Sequence, residues 1–133
     1  MKTAAKTLGR RVLVMYSWNE FLADMYGVVI PALLPRKREF DGVWGPPVGG
    51  LVPATILHHA LELPYVMSPQ SKKTLIIDDI ADSGRSLCHY AEHPIVTLFY
   101  YQQSIVTPML WVRRKRYENE WIVFPWEKGG RLK

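Results

Sequence analysis

The run Ile76-Ile77-Asp78-Asp79-Ile80-Ala81-Asp82-Ser83-Gly84-Arg85-Ser86-Leu87 holds the densest chemistry in the chain. An apolar stretch leads straight into two acids, and a third acid follows three residues on. A carboxylate withdrawn from water has to be solvated, paired or bound. Two of them after a buried strand therefore need something to meet them. At the mouth of a cleft they can accept hydrogen bonds from the vicinal hydroxyls of a ribose. They can also hold Mg2+, directly or through water. Asp82 to Ser86 reads as a tight turn that opens a helix. Gly84 allows a positive φ there. Consecutive N–H groups then face one concavity, and the helix N-terminus adds positive potential, so the turn suits one phosphate. Ser83 and Ser86 add hydroxyl donors. The alternative for the same residues is a strand, an acidic turn and a capped helix with no ligand.

Such a site has to be carried by a sheet. Thr74 to Ile77 is a continuous apolar, β-rich run, as expected for a strand covered on both faces. Upstream, Phe40 to Trp44 reads as a short strand, Gly45 to Gly50 as a turn, and Leu51 to Leu61 as a helix with Pro53 in its first turn. Tyr65 to Met67 is a further short strand. A helix is predicted from Ser86 to Glu92 and a strand over Ile95 to Tyr101. This alternation predicts an α/β protein with an open, mostly parallel twisted sheet flanked by helices. Ligands bind such sheets beyond the carboxyl ends of the strands, where both glycine-containing loops fall. Nearer the N-terminus, residues 1–11 are polar and basic and are expected to fray. Val12 to Met15 reads as an edge strand. Ser17 and Glu20 have capping-box spacing. Phe21, Leu22, Met25, Val28 and Val29 recur at helical spacing, and Pro31 should end or kink that helix. Trp111 to Arg113 and Trp121 to Phe124 are short aromatic segments.

The 133 residues suffice for one domain with a buried core and no disulfide. Cys88 is the single cysteine, which fits a reducing, cytoplasmic compartment. His58 and His59 are adjacent, so on a helix they diverge, and they are read as surface or half-buried residues rather than metal ligands. No stretch is long enough to span a bilayer, and no signal core follows the N-terminus. Net charge is +5, concentrated in Arg36-Lys37-Arg38 and Arg113-Arg114-Lys115-Arg116. That surplus suits phosphate-rich ligands, or it marks two solvated loops. No nucleic-acid motif accompanies it, so a nucleic-acid role is not favoured.

Thr74 to Leu87 resembles the phosphoribosyl diphosphate signature of type I phosphoribosyltransferases. Gly45-Pro46-Pro47-Val48-Gly49-Gly50-Leu51-Val52-Pro53 is similar to the pyrophosphate loop and following helix of the xanthine-guanine branch. Trp121-Ile122-Val123-Phe124-Pro125-Trp126-Glu127 resembles the purine-pocket segment of the same group. The resemblance implies one domain over residues 1–133, with a core of about 40–104 and a small hood from about 12–35 and 105–127. It implies transfer of a phosphoribosyl group from phosphoribosyl diphosphate to a purine-like base in nucleotide salvage, with Mg2+ and a homo-oligomer, a dimer or tetramer. By the resemblance, Asp78 and Asp79 contact the ribose hydroxyls and Mg2+. Ala81, Ser83, Gly84, Arg85 and Ser86 hold the 5-phosphate. Val48, Gly49 and Gly50 offer N–H groups to the pyrophosphate, and a non-proline cis peptide is implied at Pro47–Val48. Asp82 manages the proton at N7 as the catalytic residue, Trp121 stacks on the base, and backbone near Ile122 reads its edge. Three features depart from the pattern. Only Ser68 to Lys73 stands where relatives have a long closing loop, Val48 replaces a basic residue, and Tyr101 stands at the position of a base-reading lysine. Those departures support an alternative, a non-catalytic protein of the same fold that binds a nucleotide or phosphoribosyl diphosphate.

Overall fold

Two sheets organise residues 4–127, the part described by the computed structural model, with backbone only for residues 4–8. In the smaller, β1 (Ala4–Leu8) and β2 (Arg11–Met15) form an antiparallel hairpin that sets Ala4 opposite Met15. β7 (Glu120–Val123) adds parallel to the other side of β2, with Leu13 opposite Trp121. Val12 to Met15, expected at an edge, is thus the middle strand. Residues 4–8, expected to fray, supply its second neighbour, while residues 1–3 lie outside the described part. β2 thereby satisfies its backbone groups on both sides, with β1 along one edge and β7 along the other.

Ser17 caps α1 (Trp18–Asp24) as the spacing predicts. Its Oγ accepts from the Glu20 N–H at 3.1 Å, and Glu20 Oε1 accepts from the Ser17 N–H at 3.1 Å. The helix does not end at Pro31. It passes through a π turn (Met25–Val29) into α2 (Ile30–Leu33) and then a 3-10 turn (Leu34–Glu39). Pro31 lies in the first turn of α2, where a missing N–H costs least. Phe21, Met25, Val29 and Leu33 recur every fourth residue and are all buried, and this stripe holds the path past the proline.

The main sheet is β3 (Gly42–Trp44), β4 (Thr74–Ala81), β5 (Ile95–Tyr101) and β6 (Leu110–Lys115), in that order and all parallel. β6 falls within the segment 105–127 assigned to the hood, yet it pairs along β5 as the fourth strand. The strand expected over Tyr65 to Met67 is reduced to one bridge, Tyr65 to Val43. α3 (Leu51–Leu61) matches its expected bounds and packs on β3 and β4. Its Leu57 and Leu61 join Leu75, Ile77, Val96 and Leu98 and the helical stripe in the main core.

The other face is covered differently. The helix expected from Ser86 to Glu92 is only a 3-10 turn, Leu87–Tyr90. Residues 82–94 must lead from the end of β4 back to Ile95, which pairs with Ile76. The return is made instead by consecutive turns around the 3-10 segment, closed by Cys88 N–H to Gly84, Ala91 N–H to Cys88 and His93 N–H to Tyr90 carbonyl bonds. A small cluster results, with Ile76, Leu87, Ile95, Tyr100 and Val106 under half-buried Trp44, Tyr90 and Trp111. β4 also runs further than its apolar stretch, because β5 pairs with it as far as Ala81. Asp78 and Asp79 therefore lie inside the strand rather than after it. Among the described residues, no helix is long and apolar enough to cross a membrane.

Candidate functional site at the carboxyl ends of the main sheet

The loop after β3 lies directly against the acids of β4. Its Pro47–Val48 peptide is cis. A Cβ on Gly49 would overlap the Asp79 carboxylate, and one on Gly50 would come within 2.5 Å of the Ile77 carbonyl oxygen. Only glycine lets these two backbones approach so closely. Val48 is exposed at the tip, and Gly50 is buried beneath it.

The two acids are braced through the backbone. Asp78 Oδ1 accepts from the Asp79 N–H at 2.8 Å, and Asp79 Oδ1 accepts from the Ile80 N–H at 2.7 Å. Burial, and then the charge of Asp79, pushes the Asp78 carboxyl up to about 8. Two adjacent carboxylates cannot both ionise cheaply here, and one resolves the conflict by keeping its proton. A divalent cation or sugar hydroxyls would resolve it too.

Downstream, Gly84 has φ +81°, and a Cβ there would come within 2.5 Å of Ser104 Oγ and 2.9 Å of the Val106 nitrogen. The Ile105 N–H donates to the Ser83 carbonyl at 3.0 Å, and the Arg85 N–H donates to Ser83 Oγ at 3.3 Å. The turn is therefore held by the β5–β6 connection. Ser83, Arg85 and Ser86 are exposed, whereas Ala81 and Gly84 are buried. The helix-end potential expected at Ser86 is missing, since a four-residue 3-10 turn follows. Any phosphate here would rely on N–H groups, the two serines and Arg85.

Two cavities flank Trp121. One, of about 170 Å3, is lined by Asp79, Ile80, Asp82, Trp121, Ile122 and Phe124, together with Lys115. That is comparable to the roughly 150 Å3 that admits a single aromatic ring, and it is open on one side. The other, of about 480 Å3, has Arg11, Ser83, Arg85, Tyr101 and Trp121 among its lining residues, and Asp82 faces it as well. The Arg11 guanidinium lies 4.5 Å from the Trp121 ring centroid. Trp121 Nε1 is buried without a hydrogen-bond partner. Asp79, Asp82, Trp121 and Ile122 thus share one cavity, and Asp82, Ser83, Arg85 and Tyr101 share the next. Val48, Ala81, Gly84 and Ser86 line neither.

Lys115 escaped the sequence reading. The basic run Arg113 to Arg116 reads either as suited to phosphate-rich ligands or as a solvated loop, with no residue singled out, but Lys115 is buried and donates to Asp82 Oδ1 at 2.9 Å. Arg113 also turns inward, donating to Asp24 at 2.7 Å and to Glu20 at 3.3 Å. The available signal was strand alternation, which puts residues 113 and 115 on one face. Among the described residues no group of three or more His, Cys, Asp or Glu is placed for a metal ion. Asp78 and Asp79 alone fit the Mg2+ habit of taking one or two carboxylates and completing its shell with water and substrate phosphates.

By sequence, the chain matches no protein-family model and no curated protein. By structure, it is similar to a purine phosphoribosyltransferase from Pyrococcus horikoshii, with TM-score 0.76 and 24% identity over 91% of this chain and 97% of that one. A xanthine-guanine-hypoxanthine phosphoribosyltransferase from Helicobacter pylori gives 0.68 at 19% identity, covering 86% and 94%. A hypothetical protein from Neisseria gonorrhoeae with bound ppGpp gives 0.57 at 17% identity, covering 89% and 90%. With its parallel sheet and this structural likeness, the chain has the type I phosphoribosyltransferase fold.

Proposed function

We propose that the chain is a phosphoribosyltransferase that moves the phosphoribosyl group from phosphoribosyl diphosphate to a purine-like base, in cytoplasmic nucleotide salvage. One observation carries this reading. Asp79 touches the Gly49 loop on one side and lines the aromatic cavity on the other. Diphosphate, sugar and base would then lie in a row across β4. Asp78 and Asp79 grip the ribose hydroxyls and would hold Mg2+, which when bound offsets the charge of the leaving diphosphate. Backbone N–H groups of Val48 and Gly49 face the same leaving group, whereas that of Gly50, expected to join them, donates to the Pro46 carbonyl at 2.8 Å and only shapes the loop. The turn of Ser83, Gly84, Arg85 and Ser86, with Ala81 behind it, anchors the 5-phosphate. Trp121 and Ile80 enclose the base and the Ile122 backbone borders its edge, while Tyr101, expected there, lines the adjoining cavity instead. A base nitrogen attacks C1, pyrophosphate departs, and Asp82 handles the proton on the base.

Incubation with phosphoribosyl diphosphate, Mg2+ and each common base tests this: nucleotide should form with a purine. In the same assay Asp82→Asn should lower turnover more than affinity for phosphoribosyl diphosphate, and equal losses would remove its role. A homo-oligomer is part of the proposal, and light scattering that finds a monomer at micromolar concentration would delete it.

A second reading has its own support. Residues 68–73, where a closing loop would stand, are tied down: the Gln70 and Ser71 N–H groups donate to Thr74 Oγ1 at 3.0 and 3.2 Å, and Asp41 accepts from Ser71 and Thr74. No lid can come from that segment. A protein that binds a nucleotide without turnover needs none. Tight ligand binding with no product from any base would select this reading.

A further inference from the structure

A third cavity, of about 620 Å3, opens where β5 and β6 end. The two strands are parallel, so the residues that follow them meet at one edge of the sheet. Gln102 and Gln103 line it from one strand, and Arg114, Arg116 and Tyr117 from the other. No carboxylate lines it, and its remaining cation, Lys115, is already bound to Asp82. The guanidiniums of Arg113 and Arg36 are taken up by Glu20, Asp24 and Glu39. Those of Arg114 and Arg116 are not: among the described residues neither forms an ion pair. Arg114 lies over the Trp111 ring, 5.7 Å from its centroid, a contact that uses no N–H donor. Arg116 is carried by a closed turn. Its own N–H and that of Tyr117 donate to the Glu120 carboxylate, and the Glu120 N–H donates back to the Tyr117 carbonyl at 3.0 Å. This cavity shares Tyr101, Gln103 and Lys115 with the one of about 480 Å3, so the two run together.

A guanidinium offers its donors in a planar fork that matches phosphate. Two of them without acids, beside two carboxamides and a phenol, make an anion site. The substrates of the proposed reaction do not reach it. Their diphosphate would lie at the Gly49 loop, and their 5-phosphate would stop at the turn of Ser83 and Arg85, which borders the cavity of about 480 Å3. Further phosphates on the 5 position would continue from there past Gln103. We propose that the groove of Arg114 and Arg116 is a regulatory subsite for the outer phosphates of a nucleoside 5'-triphosphate, which thereby displaces phosphoribosyl diphosphate. The proposal rests on the phosphoribosyl reading for the first phosphate and adds a ligand that the reaction does not use.

Guanosine 5'-monophosphate and guanosine 5'-triphosphate share base, ribose and first phosphate, so calorimetry with both on the full chain isolates the groove. At fixed ionic strength and without added metal, the triphosphate should bind at least about tenfold more tightly. Arg114→Gln with Arg116→Gln should bring the two within about twofold and leave the monophosphate affinity unchanged. Both side chains are exposed, and Arg116→Gln alone, which disturbs no ring contact, should already remove about a threefold part of the preference. Lys37→Gln with Arg38→Gln removes the same charge ahead of β3, at the opposite end of the sheet, and should keep the preference. An equal loss in that control marks bulk attraction and overturns the inference. The triphosphate should also bind more weakly to chain saturated with phosphoribosyl diphosphate, and an unaltered affinity there overturns the inference. Equal binding of both nucleotides by the unmodified chain overturns it too and leaves the phosphoribosyl reading standing. Binding of neither nucleotide overturns the inference, and the phosphoribosyl reading falls with it only if phosphoribosyl diphosphate, titrated alongside, gives no heat.

Discussion

Asp78 keeps a proton that the unfolded chain would release. Its carboxyl is pushed from the ordinary 3.8 to about 8, first by burial and then by Asp79. The folded pKa is the higher one, so this group's contribution to stability is fully present below about pH 4 and is lost as pH rises through about 8. Asp78→Asn has no such titration. Its melting temperature relative to the unmodified protein should therefore rise between pH 5 and pH 8.5, measured without ligand, while its affinity for phosphoribosyl diphosphate with Mg2+ falls. A difference that stays flat with pH would mean the carboxyl is ionised throughout. Gly49 gives a second test at this scale. A methyl there would overlap the Asp79 carboxylate. Gly49→Ala should move the acid by a large fraction of an ångström and lower kcat/KM about 100-fold with little change in melting temperature. Sequence alone makes both residues conspicuous, since paired acids and paired glycines are unusual neighbours of apolar strands. It does not show that Gly49 and Asp79 touch, because that contact joins the loop after β3 to a residue within β4 through the pairing of the two strands.

At the level of elements, legibility followed how local the determinant is. The capping box at Ser17 and Glu20 and the bounds of α3 depend on residues a few positions apart, and both stand as read. Ser17→Ala should cost about 1 kcal/mol in chemical denaturation, through loss of the cap alone. The π turn at Met25–Val29 could not be read, because it serves the buried stripe from Phe21 to Leu33 across the core. β6 could not be read either. Its basic run signals solvent, yet its inward face is closed by carboxylates of α1 that lie far away in sequence. Arg113→Met should leave Glu20 and Asp24 buried and short of a cation, at a cost of about 3 kcal/mol. A loss below about 1 kcal/mol would mean the cluster is wetter than its burial suggests.

For the molecule as a whole, the consequential feature is an open site. The segment 68–73 is pinned to Thr74 and Asp41 and cannot reach over β4. A site that closes over its substrate excludes water, whereas the cavities beside Trp121 are open. Phosphoribosyl diphosphate should then be hydrolysed slowly when no base is present, which a pyrophosphate-release assay would detect. Release that depends strictly on added base would mean another element closes the site. The net charge of +5 favours capture of so anionic a ligand, and that advantage should shrink as salt is raised.

The sequence by itself determined the parallel α/β architecture, the acids and turn at the end of β4, the glycine loop, and the aromatic β7. Each of these is written in neighbouring residues whose types have few other uses. Tertiary structure alone decided that β6 joins the main sheet, that Lys115 is buried against Asp82, that the face behind β4 lacks a full helix, and that residues 4–8 complete a second sheet. Those outcomes depend on which distant strand lies alongside. A buried charge or an edge backbone takes its environment from its neighbour in space, and strand register sets that neighbour only once the chain has folded.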